Sequence, residues 1–267
     1  MKDEASVSRS SSFILHPSSF RRESYGSFAW AYDQALGERF FIAARPLLTE
    51  LFDRYPAGEK THLDIACGTG LAVEFFRGRG WESAGVDASL EMLAVARKRA
   101  GRLVGGDFRA LPFRRTFARI TCLYDSFNHI KDRSDLVAAF RSVRRLMNGQ
   151  SLFIFDVNHP DVYPLVWGSR EPFAAAGSDY ELEIATTFRK RDALGRAVVR
   201  GWALSPDGTR VEIREVHEQR AYSEREIVES LGEASIAPVA VIPFDPYNET
   251  ATLRVRSVKM VFVCRGT

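Results

Sequence analysis

The chain has 267 residues, 45% of them hydrophobic and 27% charged, enough for one large α/β domain or a core domain with a modest insertion. Its 37 basic and 34 acidic residues leave a net charge of +3, which argues against a nucleic-acid partner that needs a clustered basic face. Three cysteines without a CxxC pair argue against a disulfide framework or a zinc site. No apolar run approaches the roughly 18 residues that span a bilayer. The expectation is a cytoplasmic, soluble protein with no membrane or nucleic-acid partner and no metal.

In chain order, residues 1–23 repeat Ser-Ser-Phe twice and read as a flexible tail. Residues 24–58 read as a helical lid: Phe28, Tyr32, Leu36, Phe40, Leu47, Leu48 and Leu51 recur at helical spacing, and Pro46 would open a second helix after a kink. Strands and helices then alternate over 59–177. His62–Ala66, Ser83–Val86, Leu103–Val104, Arg119–Tyr124 and Ser151–Val157 read as strands; Leu71–Arg79, Ser89–Ala100 and Ser134–Met147 read as helices. Such alternation implies right-handed βαβ units and a parallel sheet with helices on both faces. The arginines within 97–102 and 141–145 fall at helical spacing and read as solvated faces.

Residues 178–222 differ. Three long strands with period-two alternation, turning at 192–195 and 205–208, form an antiparallel β insertion. Residues 223–267 complete the core with a helix opened by the capping box Ser223–Glu226 and two strands, near Ala237–Ile242 and Arg254–Cys264.

The first strand runs into Leu63-Asp-Ile-Ala-Cys-Gly-Thr-Gly70. A glycine-rich turn between strand and helix lets backbone N–H groups approach a ligand. The third small residue of a dinucleotide fingerprint is missing, and no P-loop pattern is present. Asp64 would repel a pyrophosphate but suits an ammonium group. Asp87 ends the second strand, where a carboxylate can accept from both ribose hydroxyls. Asp107 and Phe108 follow the third strand, the first able to accept from an adenine amino group and the second offering a ring. Each of these acids could also be an ordinary turn or cap residue, Phe108 could be core, and Cys67 reads as a packed bystander.

Taken together and in order, residues 61–157 resemble the class I methyltransferases that use S-adenosylmethionine (SAM). LDIACGTG resembles their first motif, GVDAS their ribose-binding acid and GDFRALPF their adenine loop. The resemblance implies a Rossmann-like seven-stranded, mostly parallel α/β sheet whose last strand is antiparallel. It implies a cofactor site made of Tyr32, Asp64, Ala66, Gly68, Gly70, Asp87, Ala88, Asp107, Phe108 and Tyr124. Two departures stand out. Ala66 replaces the usual first glycine, and Phe117-Ala-Arg-Ile120 lacks the usual acid, which reads as a changed surface contact.

The acceptor is expected above the fourth and fifth strands. The fourth ends in Tyr124-Asp-Ser-Phe-Asn-His-Ile130, similar to a bacterial small-molecule subgroup with D-S-x-N there. Asp125, Asn128 and His129 are the catalytic candidates, with His129 as the base; the alternative for His129 is a cap before Asp132. Asp156 is a second pocket candidate, and His159 reads as a loop residue. In related methyltransferases a Tyr-Asp pair such as Tyr32-Asp33 closes over SAM, with Tyr25 a weaker candidate of the same kind. The insertion resembles the extra sheet of sugar and glycine N-methyltransferases, which covers the acceptor or builds a dimer interface. Phe188, Trp202, Arg214 and His217 are its residues of interest, with Arg214 and His217 on opposite faces.

The function expected is methyl transfer from SAM to N or O of a small molecule. The alternatives are a SAM-binding protein without turnover and a nicotinamide-dependent oxidoreductase. A macromolecular acceptor is disfavoured by the balanced charge.

Overall fold

The structure is a computed structural model that describes residues 25–169, 171–249 and 253–267. The expected tail at 1–23 lies outside the described residues.

Seven strands form the main sheet: β1 (Thr61–Ile65), β2 (Glu82–Asp87), β3 (Leu103–Gly105), β4 (Arg119–Cys122), β5 (Leu152–Asn158), β10 (Ile236–Phe244) and β11 (Lys259–Gly266), in the order β10-β11-β5-β4-β1-β2-β3. All pairings from β3 to β5 are parallel, and β11 is antiparallel to both neighbours. The apolar runs at 152–155 of β5 and 260–264 of β11 follow from burial on both faces.

One face carries α5 (Arg133–Arg144) and α6 (Glu224–Glu233), packed over Phe127, Phe140, Phe153, Phe155 and Phe262. The other carries α2 (Glu38–Arg54) and α3 (Leu71–Gly78), which bury Phe40, Leu48, Phe52 and Phe76. The capping box at Ser223 forms with both of its hydrogen bonds. Ser89 caps α4 (Leu90–Ala96) by accepting from Met92 N.

Several elements depart from expectation. The N-terminal helix does not break at Pro46, which lies inside α2. The irregularity comes earlier, as a π-turn over Asp33–Gly37 between α1 (Ala29–Tyr32) and α2. Arg119 makes no surface contact. It is fully buried, stacked near Phe52 and Trp81 at 5.6 and 5.7 Å, and burial pulls its guanidinium down to about 10. Not all of the helix-face arginines are free: Arg99 pairs with Asp33, and Arg144 donates to the carbonyls of Ser235 and Thr267.

The insertion is an antiparallel sheet of β6 (Phe173–Ala176), β7 (Tyr180–Arg189), β8 (Leu194–Leu204) and β9 (Arg210–Arg220), in that order. It starts before residue 178, because the short Phe-Ala-Ala-Ala strand carries no alternating pattern and was invisible to periodicity. Along β9, Ile213, Glu215, His217 and Gln219 point inward and Arg214 outward, as period two requires. The inner face packs Tyr180, Leu182, Val199 and Ile213 against Phe28 and Ala31 of α1. Insertion and N-terminal helix thus form one roof over the carboxyl ends of the parallel strands.

Candidate active site

The exits of β1, β2, β4 and β5 meet that roof, at the edge that is the usual place for a ligand in an open α/β sheet. After β1 the backbone turns left-handed at Ala66, Gly68 and Gly70, with φ of 52°, 51° and 83°. Glycine is needed at 70 in particular, where a side chain would meet Ala96 Cβ at 3.1 Å as well as the positive φ. Ala66 tolerates its angle at a cost of about 1 kcal/mol.

Two carboxylates face this turn. Asp64 is buried, and Thr121 Oγ1 at 2.5 Å is its hydrogen-bond donor among the described residues. Burial pushes its carboxyl up to about 7, against the Thr121 bond, and nearby Asp87 adds to the rise. Behind it a polar chain runs through the sheet: Thr121 meets His62 Nε2 at 2.9 Å, and His62 Nδ1 meets Ser83 at 2.7 Å. Burial takes His62 down to about 3, so it supplies no charge to Asp64. Asp87 accepts from Gly68 N and Ser89 N, both at 2.8 Å, while burial holds its carboxyl above the usual range. Ala88 beside it is exposed.

The lid is fastened to this turn. Asp33 accepts from Thr69 Oγ1 and from Arg99 at 2.7 Å, and Ser89 Oγ donates to Tyr25 O at 2.8 Å. Glu215 of β9 accepts from Tyr25 N and Phe28 N at 2.8 and 3.0 Å, capping the start of the lid. Tyr32 stands edge-on to Tyr25 and 5.9 Å from the Tyr124 ring.

At the third strand the carboxylate of Asp107 is not free. Arg109 clasps both oxygens and also binds Asp135 at 2.9 Å. Phe108 is half-buried against the core, 5.7 Å from Phe127.

The exit of β4 is held in a strained form. Tyr124 and Asp125 have φ of 60° and 52°, conformations that cost of order 1–3 kcal/mol each without outside support. Asp156 supplies that support by accepting from both their N–H groups, at 2.6 and 3.0 Å. Lys259, at the start of β11, sits 2% exposed between these acids, donating to Asp125, to Asp156 at 3.0 Å and to Asn158 Oδ1 at 2.9 Å. Burial raises the Asp125 carboxyl, but the adjacent Lys259 ammonium brings it below the usual range. For Asp156 burial wins and the shift is upward; the two acids together keep Lys259 firmly protonated despite its burial. Tyr124 stacks on Phe40 at 4.3 Å and its hydroxyl meets Tyr247 at 3.2 Å.

His129 is partly buried, with Nε2 3.3 Å from both Tyr25 Oη and Gln219 Nε2. Burial pulls its ring down to about 4, with Asp125 working against that and His217 for it, so it is neutral at pH 7. Asn128 does not join it at the pocket. It is fully buried, donating to Arg220 O and accepting from Asn158 N, and so ties β4 to β9 and β5. The geometry makes Asn128 a scaffold group rather than one that faces the acceptor. His217 lies 4.5 Å from the Tyr25 ring, with its Nε2 3.2 Å from Glu215 Oε2. His159, in the β5 exit loop, is 3.6 Å from Asp161. Phe188 packs on Tyr163, and Trp202 and Arg214 lie away from the cleft on the outer face of the sheet.

Sequence reasoning missed Lys259, Gln219 and Glu215. Lys259 had a signal, a cation opening the apolar run Met260–Cys264. Gln219 and Glu215 had only their inward phase on β9.

A family model for the methyltransferase domain matches residues 63–149. The dTDP-3-amino-3,6-dideoxy-alpha-D-glucopyranose N,N-dimethyltransferase of Streptomyces fradiae is 32% identical over 119 residues, 43% of this chain and 46% of that protein. A second dTDP-amino-sugar N,N-dimethyltransferase, from Streptomyces venezuelae, is 37% identical over 82 residues, 30% of this chain and 35% of its own. The chain spans about half the length of the curated relatives it matches. A SAM-dependent methyltransferase structure from Clostridium acetobutylicum shares the fold with a TM-score of 0.72 at 22% identity, covering 89% of this chain and 97% of that one. Residues 63–149 thus match a methyltransferase domain, and the whole chain shares its Rossmann-like fold with a SAM-dependent methyltransferase structure.

Proposed function

We propose that the protein transfers a methyl group from SAM to an amine nitrogen of a small molecule, with an amino sugar as the first class to test. The observation that carries the cofactor assignment is Asp64: a buried carboxylate beneath a left-handed glycine turn, with one hydroxyl donor and no cation beside it among the described residues. An amino-acid ammonium completes that donor set. Asp87, whose carboxylate accepts only from backbone N–H groups among the described residues, is the partner for ribose hydroxyls. Asp107 and Phe108 would meet the adenine, with the Asp107 carboxylate shared with Arg109. Backbone groups of Ala66, Gly68, Gly70 and Ala88 and the rings of Tyr32 and Tyr124 line the remainder. When bound, SAM supplies an electrophilic methyl on a sulfonium.

The acceptor side is the cleft between His129, Tyr25 and His217. There the roof excludes water and holds the acceptor in line, which accounts for most of the rate gain in such a displacement. His129, with a conjugate acid near 4, is too weak a base to ionise a hydroxyl but well able to accept a hydrogen bond from an amine. This favours N over O transfer, in keeping with the amino-sugar substrates named for two relatives. Asp125 holds the β4 exit rather than touching the acceptor. A homodimer through the outer face of the insertion and a cytoplasmic setting belong to the same reading; the three cysteines are all unpaired.

The test is calorimetric titration with S-adenosylhomocysteine, followed by incubation with SAM and a panel of nucleotide-linked amino sugars and their hydroxyl analogues. Methylated amine product, with none from the hydroxyl analogues, is expected. Tight NADH binding with none for S-adenosylhomocysteine would overturn the reading.

A further inference from the structure

We infer that Lys259, Asn158 and Gln219 are positioning residues that fix His129 in the tautomer with its ring proton on Nδ1 and a bare Nε2. This rests on the reading of that cleft as the methyl-acceptor site.

The direction of the hydrogen bonds is forced from both ends. A Lys ammonium can only donate, and an ionised carboxylate can only accept. Lys259 Nζ donates to Asn158 Oδ1 at 2.9 Å, so the Asn158 amide nitrogen is the end that reaches Gln219, at 3.0 Å. Gln219 Oε1 therefore accepts, from Asn158 Nδ2 and from Tyr163 Oη at 2.9 Å. Its amide nitrogen must then point the other way, and it finds Asp125 Oδ2 and His129 Nε2. Asp125 takes one N–H and His129 Nε2 faces the other. A nitrogen that accepts carries no proton, so the ring proton of neutral His129 is on Nδ1.

Flipping any one amide breaks the chain at a charged end. A reversed Gln219 would set Oε1 against the Asp125 carboxylate and leave two donors, Asn158 and Tyr163, without an acceptor. All these groups are buried, where an unmet donor or acceptor costs about 1–3 kcal/mol, so one orientation dominates. The last strand of the sheet thereby dictates the protonation of a residue after the fourth. Tyr25 Oη, 3.3 Å from the same Nε2, occupies from the lid the position an acceptor N–H would take.

The experiment needs neither cofactor nor acceptor. Long-range proton–nitrogen correlation spectra of the full-length ¹⁵N-labelled chain at neutral pH report which ring nitrogen of His129 is protonated, with its signals assigned by their loss in His129→Gln. The expected result is a single tautomer with a bare Nε2. A protonated Nε2, or an averaged pair of signals, overturns the proposal. In Gln219→Leu the preference should be lost and the signals should average; an unchanged pattern removes Gln219 from the role. Gln219→Glu places only acceptors beside Nε2 and should move the proton onto it. Lys259→Arg keeps a donor-only cation and should preserve the original tautomer. The signals of His62, in the centre of the sheet, show whether each variant is folded, and the wild-type spectrum decides the tautomer if Gln219→Leu is not. Titration of the same samples with S-adenosylhomocysteine separates the two ideas: absent binding with the expected tautomer sinks the methyltransferase reading alone, and binding with the opposite tautomer sinks this one alone.

Discussion

Asp64 gives the sharpest test, because it must be ionised to hold an ammonium yet is buried where ionisation is costly. Its carboxyl titrates near 7 in the free protein, raised first by burial and then by Asp87. If only the ionised form binds, the competent fraction is about 0.9 at pH 8 and about 0.09 at pH 6, so affinity for S-adenosylhomocysteine falls about tenfold, or about 1.4 kcal/mol. The effect on folding has the opposite sign. A carboxyl whose folded pKa lies above its unfolded value makes the native state bind more protons between about 4 and 7, so this group lowers stability as pH rises through that window. A rise from 3.8 to about 7 corresponds to a destabilisation on the order of 4 kcal/mol above pH 7. Asp64→Asn keeps an acceptor for Thr121 but no titrating group. The variant should bind S-adenosylhomocysteine at least tenfold more weakly at pH 8, show a flat pH profile, and be more stable than wild type at pH 8 without ligand. Calorimetry at pH 6, 7 and 8 and thermal melts of both proteins read these quantities. A flat wild-type profile, or a slope that survives in Asp64→Asn, would refute the reasoning.

Three further outcomes are expected. Asp87→Ala removes the proposed ribose acceptors together with the Gly68 and Ser89 anchors, whereas Asp107→Ala removes a carboxylate already clasped by Arg109; in titrations with S-adenosylhomocysteine the first should lose at least 10-fold more affinity than the second, at about 1–3 kcal/mol per lost charged hydrogen bond. Glu215→Ala uncaps Tyr25 N and Phe28 N and should destabilise the lid by about 2 kcal/mol, seen as faster amide exchange over residues 25–37 with the strands of the main sheet unchanged. Lys259→Met strands two buried carboxylates and should cost about 3–5 kcal/mol, with a Tm lower by roughly 10 °C. Adding Asp125→Asn and Asp156→Asn to it should recover much of that loss, and a single Lys259→Met with unchanged Tm would contradict the ion cluster.

Much of this protein was legible in one dimension. The period of two in β7 to β9, the capping box at Ser223 and the glycine turn at 68–70 are local signals, written in residues a few positions apart. The strand-end acids Asp64 and Asp87 were legible for a related reason: in a parallel sheet every strand delivers its last residue to the same edge, so order along the chain becomes adjacency in space. What failed were inferences that needed a neighbour from elsewhere. Asn128 reads as a pocket residue until Arg220 and Asn158 take both ends of its amide. Asp107 reads as an open acceptor until Arg109 folds back onto it.

The sequence by itself determined the fold class and which acids end the first two strands, because hydrophobic period and turn chemistry act over short separations. Only the tertiary structure decided the polar cluster at the exit of β4. There Tyr25, Asp125, His129, Gln219 and Lys259 come from four distant stretches of chain, and their roles depend on which groups donate and which accept. That is a property of contacts, settled when the lid, the insertion and the last strand close over the same strand end and leave each buried polar atom to find its partner.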